Sequence, residues 1–362
     1  MRAAIERLDV RVCTLPTEGG PESDGTAIWD ATTMVIVQPR AGGLTGLGYS
    51  YIAGPAAGVV RDLLAPVVVG LDAFAIPAAM TAMIHAIRNH GRAGLVACAV
   101  SAVDNALWDL KAKLLGIPLA DLLGAARTTV PVYASGGFTS SDLDALGAEL
   151  AGYRDQGHRR VKIKIGREPA KDAERVRIAR DAVGADVELM VDANGAYTPP
   201  QALAMSQQFA GHDVRYFEEP VTSDDLDGLR QVRERAPAGM AIAAGEYGYD
   251  GWYFRRMLEA RAVDILQADA TRALGITGFL QADALCRARS LPLSSHCAPS
   301  LHAHAGAAAS QLVHLEYFRD HVRMEQLLFE GALRAIDGAL SYDPTRPGLG
   351  LVLREKVADR HA

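Results

Sequence analysis

Two lysines stand two residues apart in the run VKIKIG, so on an extended strand Lys162 and Lys164 face one side while Val161, Ile163 and Ile165 face the other. On an exposed edge they would simply be solvated. On a strand buried on both faces, two ammonium groups need carboxylates or a substrate anion beside them, and burial next to another cation lowers a lysine's pKa. Three later apolar runs each end in a carboxylate: Asp192 in VDANG, Glu218 or Glu219 in YFEEP, and Glu246 in AAGE. Any one alone reads as a surface charge or a helix cap; three in matching registers converge and demand a counter-charge. Oxygen donors without cysteine or histidine suit a hard cation, which makes Mg²⁺ the expected occupant. The next two runs end in Asp269 (ILQAD) and His296 (LPLSSH). A carboxylate that fixes an imidazole's tautomer and stabilises its protonated form is an arrangement for general acid–base catalysis. Glu316 (HLEYF) ends the last run; it is either a surface glutamate or, with a raised pKa, a hydrogen-bond donor. His302 and His304 follow at an i, i+2 spacing that does not share one helical face, and no role is assigned to them.

These residues need elements that aim them at one place. After Thr129 the chain repeats short apolar runs (VPVYASGGF, RVKIKIG, VELMVDANG, VRYFEEP, MAIAAGE, AVDILQAD, LPLSSH, VHLEYF) separated by stretches of helix-forming composition such as 172–183 and 200–209. Eight such repeats predict an α/β fold, a (β/α)₈ TIM-like barrel, whose strands are buried on both faces and whose chemistry sits at their carboxyl ends. Before it, alternating segments 2–12, 33–37 and 46–51 predict a small antiparallel meander. A helical stretch follows, including 95–115 with Gly116 and Pro118 as its stop. The expected organisation is an N-terminal α+β capping domain at 1–126, a catalytic barrel at 127–330, and a C-terminal segment at 331–362 packing back on the capping domain. Residues 16–29 (PTEGGPESDGTAIW) are too polar to pack as an element and read as a loop, with a mobile lid as the functional alternative.

The bulk composition narrows the partners. A net charge of −6 gives no general attraction to nucleic acid or an anionic membrane, so an anionic substrate must be drawn in by local cations. There is no uninterrupted apolar run long enough to span a bilayer, and the amino terminus lacks the apolar core of a signal peptide. The four cysteines, Cys13, Cys98, Cys286 and Cys297, are scattered, which argues against a disulfide framework or a zinc knuckle and fits a cytoplasmic location.

On these ordered motifs the chain resembles the enolase superfamily, specifically its mandelate racemase-like subgroup, across nearly its full length. The resemblance matches Lys162 and Lys164 to the family's K-x-K, Asp192, Glu218 and Glu246 to its three metal carboxylates, Asp269 and His296 to its dyad, and Glu316 to the subgroup's final-strand glutamate. It selects Glu218 over Glu219 as a ligand and leaves Glu219 outside the ligand set. The segment Ala273-Leu274-Gly275-Ile276-Thr277 departs from the glycine pair that members commonly carry after the dyad aspartate, which bears on pocket shape. The resemblance also implies two capping loops that select substrate, near 16–29 and 49–55, and a homo-oligomer, a dimer or an octamer.

The chemistry expected from this set is Mg²⁺-dependent abstraction of the α-proton of a small-molecule carboxylate, through a metal-stabilised enediolate. Lys162 and Glu316 would meet the carboxylate, and either Lys164 or the His296/Asp269 pair would take the proton. By analogy, dehydration of an acid sugar, an aldonate or aldarate, to a 2-keto-3-deoxy acid is the leading expectation. Racemisation or epimerisation of a 2-hydroxy acid and cycloisomerisation of a sugar lactone or anhydro-sugar acid are alternatives. A barrel kept only for binding is a distant one.

Overall fold

A computed structural model describes residues 2–362. Eight parallel strands follow one another around a closed barrel: Thr129–Gly136, Arg160–Lys164, Glu188–Asp192, Val214–Glu218, Ala241–Ala244, Ile265–Ala268, Leu293–Ser295 and Leu312–Phe318, with the eighth paired to the first. The two-residue period of each strand separates two cores. Ile163, Val191, Phe217 and Ile242 belong to the large apolar core that includes the surrounding helices, whereas Tyr133, Met190, Tyr216 and Ala243 form a small cluster inside the barrel. The helices between strands are capped as their sequences suggest: Asp142 accepts the Ala145 N–H, and Thr198 with Gln201 forms a capping box ahead of Pro199–Ala210.

In the first domain the central strand Ala31–Ala41 pairs antiparallel with Arg7–Pro16 on one side and Gly48–Tyr51 on the other. The first strand starts later than the alternation predicts, because the residues ahead of it are engaged elsewhere. The Ile5 N–H bonds to Leu71 O at 2.8 Å, and the Ala3 N–H bonds to Asp72 at 3.1 Å. The long helix Leu95–Leu115 ends at Gly116 in the left-handed conformation (φ 70°), as its stop signal requires. Among the described residues no helix is long and apolar enough to cross a membrane.

This helix also joins the two parts of the chain. The barrel helix Gly275–Ala288 has no cap of its own; Leu274 before it sits at φ 65° with no side-chain hydrogen bond to the helix. Its first three N–H groups are taken instead by three side chains of Leu95–Leu115. Gly275 donates to Ser101 at 3.0 Å, Ile276 to Asn105 at 2.9 Å, and Thr277 to Asp104 at 3.0 Å. The Asn105 amide then donates to Ala270 O, and the Ser50 hydroxyl to Thr271 O. The segment after the sixth strand is thus held from the first domain along its whole length.

The C-terminal stretch runs over both parts. Ala339–Ser341 adds antiparallel to the first barrel strand, Leu349 N–H bonds to Asp109 at 2.6 Å, and Thr14 N–H bonds to His361 O at 2.8 Å. His304 buttresses this region: its Nδ1 accepts the Ala120 N–H and its Nε2 donates to Leu349 O. Burial lowers its pKa to about 4. An unfolded chain therefore protonates this histidine first, so the stability it contributes is complete above pH ~6.5 and is lost as pH falls toward 4. The loss is on the order of 3 kcal/mol from this residue. Urea unfolding between pH 7 and pH 4 should show that decline, with a shallower slope in the His304→Asn variant.

Candidate active site

Pairing register brings the charged strand ends to one level. Lys164 lies opposite Asp192, and Asp192 opposite Glu218. Lys164 Nζ sits 2.5 Å from Asp192 Oδ2. One layer deeper, Lys162 donates to both Glu218 oxygens at 2.8 Å, meets Glu316 Oε1 at 2.8 Å, and lies 3.4 Å from Asp192. Across the mouth, His296 Nδ1 is 2.7 Å from Asp269 Oδ2, while Asp269 Oδ1 accepts the Thr271 N–H at 2.6 Å. The ionised aspartate assigns the proton to Nδ1 and leaves Nε2 turned toward the other charges. That atom is 3.6 Å from Glu246 Oε2 and 3.9 Å from Glu316 Oε2. All eight residues expected from the sequence come together here, and all are buried.

The charge states differ from expectation at two of them. Glu316 can donate a hydrogen bond only with a raised pKa. Burial does push it upward, but Lys162, His296 and Lys164 outweigh that and hold it well below the usual carboxylate range. It is therefore an anion that accepts, from Lys162 and from the Cys297 N–H at 2.9 Å. For Lys164, burial works to lower the pKa and Lys162 adds to that, yet Asp192 more than compensates and the net direction is up. Asp269 is also held low, because the His296 hydrogen bond and charge overcome its burial.

Several further residues act at the mouth without a motif in the sequence to mark them. Arg272 reaches Glu246 Oε1 at 3.4 Å and Asp269 Oδ2 at 3.9 Å, bridging a metal-type carboxylate and the dyad. A cation three residues past Asp269 is the signal the sequence offers. Cys297 places Sγ 3.3 Å from His296 Nε2, and its neighbour Ala298 shares its left-handed backbone (φ 52° and 43°), a strained pair at the end of the seventh strand. His302, given no role, is fully buried and ties two loops together. Its Nε2 accepts the Ala270 N–H at 2.9 Å and its Nδ1 bonds to Cys297 O at 2.7 Å, so it fixes the segments that carry Asp269 and His296.

The loop at 16–29 packs more closely than its polarity suggests. It forms a two-residue hairpin, Glu22–Ser23 with Ile28–Trp29, and Glu22 is buried against Arg319 at 2.5 Å. Gly25 lies so close to the strand ends that a Cβ there would fall 2.3 Å from Ala193 O and 2.7 Å from Ile165 O; only glycine fits. Opposite, Tyr51 stacks on His321. These segments roof a cavity of ≈ 380 Å³ whose floor is Lys164, Glu246, His296 and Glu316 and whose walls include Asp24, Thr32, Asn194 and Arg272.

The donor set fits a hard divalent cation. One carboxylate oxygen from each of Asp192, Glu218 and Glu246 lies within 4.8 Å of the others. Glu246 Oε2 is buried with no hydrogen-bond partner. Burial and the Asp192 charge push Glu218 upward, the sign of negative charge that the lysines do not fully balance.

Residues 145–357 match the family described as enolase C-terminal domain-like, and residues 10–124 match the N-terminal domain of mandelate racemase/muconate lactonizing enzyme. The chain belongs to the enolase superfamily. Within it, this enzyme is similar to an arabinonate dehydratase of Saccharolobus solfataricus (31% identity, covering 98% of each chain). It is also similar to a 3,6-anhydro-alpha-L-galactonate cycloisomerase of Streptomyces coelicolor (33% identity over 96% of each). Among solved structures it superposes on a mandelate racemase/muconate lactonizing enzyme-like protein from Rubrobacter xylanophilus with a TM-score of 0.97, at 53% identity over 99% of each chain. A racemase from Streptomyces coelicolor A3(2) with bound magnesium superposes with a TM-score of 0.93, at 30% identity over 99% of each. Like its relatives, this enolase-superfamily member is an enzyme of the lyase or isomerase type, in the mandelate racemase group.

Proposed function

We propose that the enzyme dehydrates an acid sugar, an aldonate or aldarate, to a 2-keto-3-deoxy acid. Asp192, Glu218 and Glu246 hold Mg²⁺, and Lys164 and His296 move protons on opposite sides of the substrate. The observation that carries the reading is the His296–Asp269 contact at 2.7 Å across the mouth from Lys164, with the three carboxylates in the same mouth. Mg²⁺ bound there would supply positive charge against the substrate carboxylate as the α-carbon loses its proton, and would cancel the Asp192 charge that holds Lys164 protonated.

Lys162 stays cationic, because burial is outweighed by Glu218 and Glu316, and it offers a fixed charge to the substrate carboxylate. Glu316 anchors that lysine. Lys164, once relieved of its proton, takes the α-proton from C2, and His296 gives its Nε2 proton to the β-hydroxyl at C3. That group leaves as water and the enol product tautomerises to the 2-keto acid. Asp269 keeps the ring aimed and stabilises its protonated form. The polar wall of Asp24, Thr32 and Asn194 supports a polyhydroxy substrate. The arabinonate dehydratase relative supports dehydration, while the anhydro-galactonate cycloisomerase relative, at similar identity, supports cycloisomerisation as the second reading. For assembly the reading is a homo-oligomer, dimer or octamer, which sedimentation showing only monomer would reject.

Proton NMR in D₂O with Mg²⁺, against aldonates, aldarates and simple 2-hydroxy acids, tests the chemistry. Conversion of one acid to a 2-keto-3-deoxy product is expected. Deuterium at the α-carbon of an unchanged skeleton would replace dehydration with racemisation or epimerisation. No exchange with any acid, joined to ring opening of an anhydro-sugar acid or lactone, would establish the cycloisomerase instead.

A further inference from the structure

Beside the carboxylate triad, a second set of donors meets at the mouth of the barrel. His296, Cys297 and Glu316 each bring one donor atom within 4.8 Å of the other two, and all three residues are buried. We propose that His296 Nε2, Cys297 Sγ and Glu316 Oε2 form a second cation site, adjoining the carboxylate triad, that takes a thiophilic divalent ion such as Zn²⁺ or Cd²⁺ and stops catalysis when filled.

The spacing fits one face of a tetrahedron. Zinc bond lengths of about 2.0–2.3 Å put neighbouring N, S and O ligands roughly 3.4–3.6 Å apart. Here Nε2 to Sγ is 3.3 Å, Sγ to Oε2 is 3.4 Å, and Nε2 to Oε2 is 3.9 Å. Closing the last edge by a few tenths of an ångström completes the face. A fourth donor is at hand. Glu246 Oε2 is buried, has no hydrogen-bond partner, and lies 3.6 Å from Nε2.

The outer contacts are those of a built metal site. Histidines that ligate zinc almost always donate their other ring N–H to a carboxylate or carbonyl, and His296 Nδ1 does so to Asp269 at 2.7 Å. Glu316 is held by Lys162 on one oxygen and by the Cys297 N–H on the other. Cys297 holds a left-handed backbone (φ 52°), and its thiol lies against the imidazole of the histidine before it. Burial and the Glu316 charge keep the thiol neutral. A bound ion forms its bond to sulfur as the thiol proton leaves to solvent, so affinity rises with pH.

Ligand chemistry sorts the two sites. Mg²⁺ takes the all-oxygen triad and leaves a thiolate alone, whereas Zn²⁺ and Cd²⁺ favour the nitrogen–sulfur set. An ion on Nε2 occupies the lone pair through which that imidazole exchanges protons, and it draws on Glu246, which the triad also uses. Occupancy and proton transfer at His296 exclude each other.

Cadmium chloride titrated into the Mg²⁺-loaded enzyme tests the site directly, because a cadmium–thiolate bond gives an ultraviolet charge-transfer band and a carboxylate-bound ion gives none. One equivalent of band is expected in the wild type. Cys297→Ala and Cys297→Ser should both lack it, and Asp269→Asn should weaken cadmium binding by about 10–100-fold. Circular dichroism checks that each variant is folded, and the serine variant preserves the shape of the site. A band that survives both Cys297 substitutions would assign the thiolate to another cysteine and overturn the proposal. The absence of any band in the wild type would do the same. The readout needs no turnover, so it stands apart from the identity of the reaction.

Discussion

His296→Asn is expected to lower product formation by about a thousandfold or more, since general acid–base groups contribute roughly 10²–10⁴ in rate and this residue also delivers a proton to the leaving group. Lys164→Met should fall by a similar factor, but the two losses are of different kinds. With Lys164 as the base, the His296→Asn enzyme still washes deuterium into the substrate α-carbon while making no keto acid. The Lys164→Met enzyme does neither. The reverse pattern, exchange kept in Lys164→Met and lost in His296→Asn, would make the histidine the base. NMR in D₂O reads both quantities from one sample. Asp192 complicates the lysine variant, because removing Nζ frees a buried carboxylate that the lysine touches at 2.5 Å. Lys164→Arg, which keeps the charge and removes the base, separates the two effects.

Lys162→Met should cost the fold about 3–5 kcal/mol, the range for removing one partner of a buried ion pair. Lys162 Nζ is fully buried and is the shared neighbour of Glu218 and Glu316, so both carboxylates would be left in low dielectric with less positive charge. Urea midpoints measure this, and the comparison that gives it meaning is Lys171→Met. Lys171 pairs with Glu168 on the surface, both well exposed, and that loss should be ~0.5 kcal/mol or less. The Lys162 deficit should shrink when Mg²⁺ is present, because a cation among Asp192, Glu218 and Glu246 neutralises Glu218. An equal deficit in Mg²⁺ and in chelator would argue that Glu218 is no metal ligand.

How much of this was legible in the chain follows from the range of each interaction. Lys162, Lys164, Asp192, Glu218, Glu246, Asp269, His296 and Glu316 could be read because each stands on or just past a short apolar run, and a period of two decides which way a side chain points. The ionised state of Glu316 could not be read. It depends on Lys162, six strands away in sequence and a neighbour only once the eighth strand closes on the first. The docked loop at 16–29 escaped for a similar reason. Some of its polar residues are satisfied by partners from the barrel, such as Arg319 for Glu22, and Gly25 permits a contact that composition does not report. Arg272 and Cys297 were visible as residue types but had no partner within their own strand to mark them. His302 looked unpaired with His304, and in the structure it indeed acts alone, on two loops rather than on a helical face.

The borrowed cap on Gly275–Ala288 bears on how such an enzyme can change over time. The first domain supplies much of the cavity roof, so exchanging it with that of a relative is an economical route to a new substrate. Ser101, Asp104 and Asn105, however, belong to that domain while the N–H groups they satisfy belong to the segment behind Asp269. A transplanted domain without hydrogen-bond acceptors at those three positions would slacken the dyad it was meant to serve. Roof and dyad are physically coupled through these three side chains, and a successful graft has to bring its own three acceptors with it.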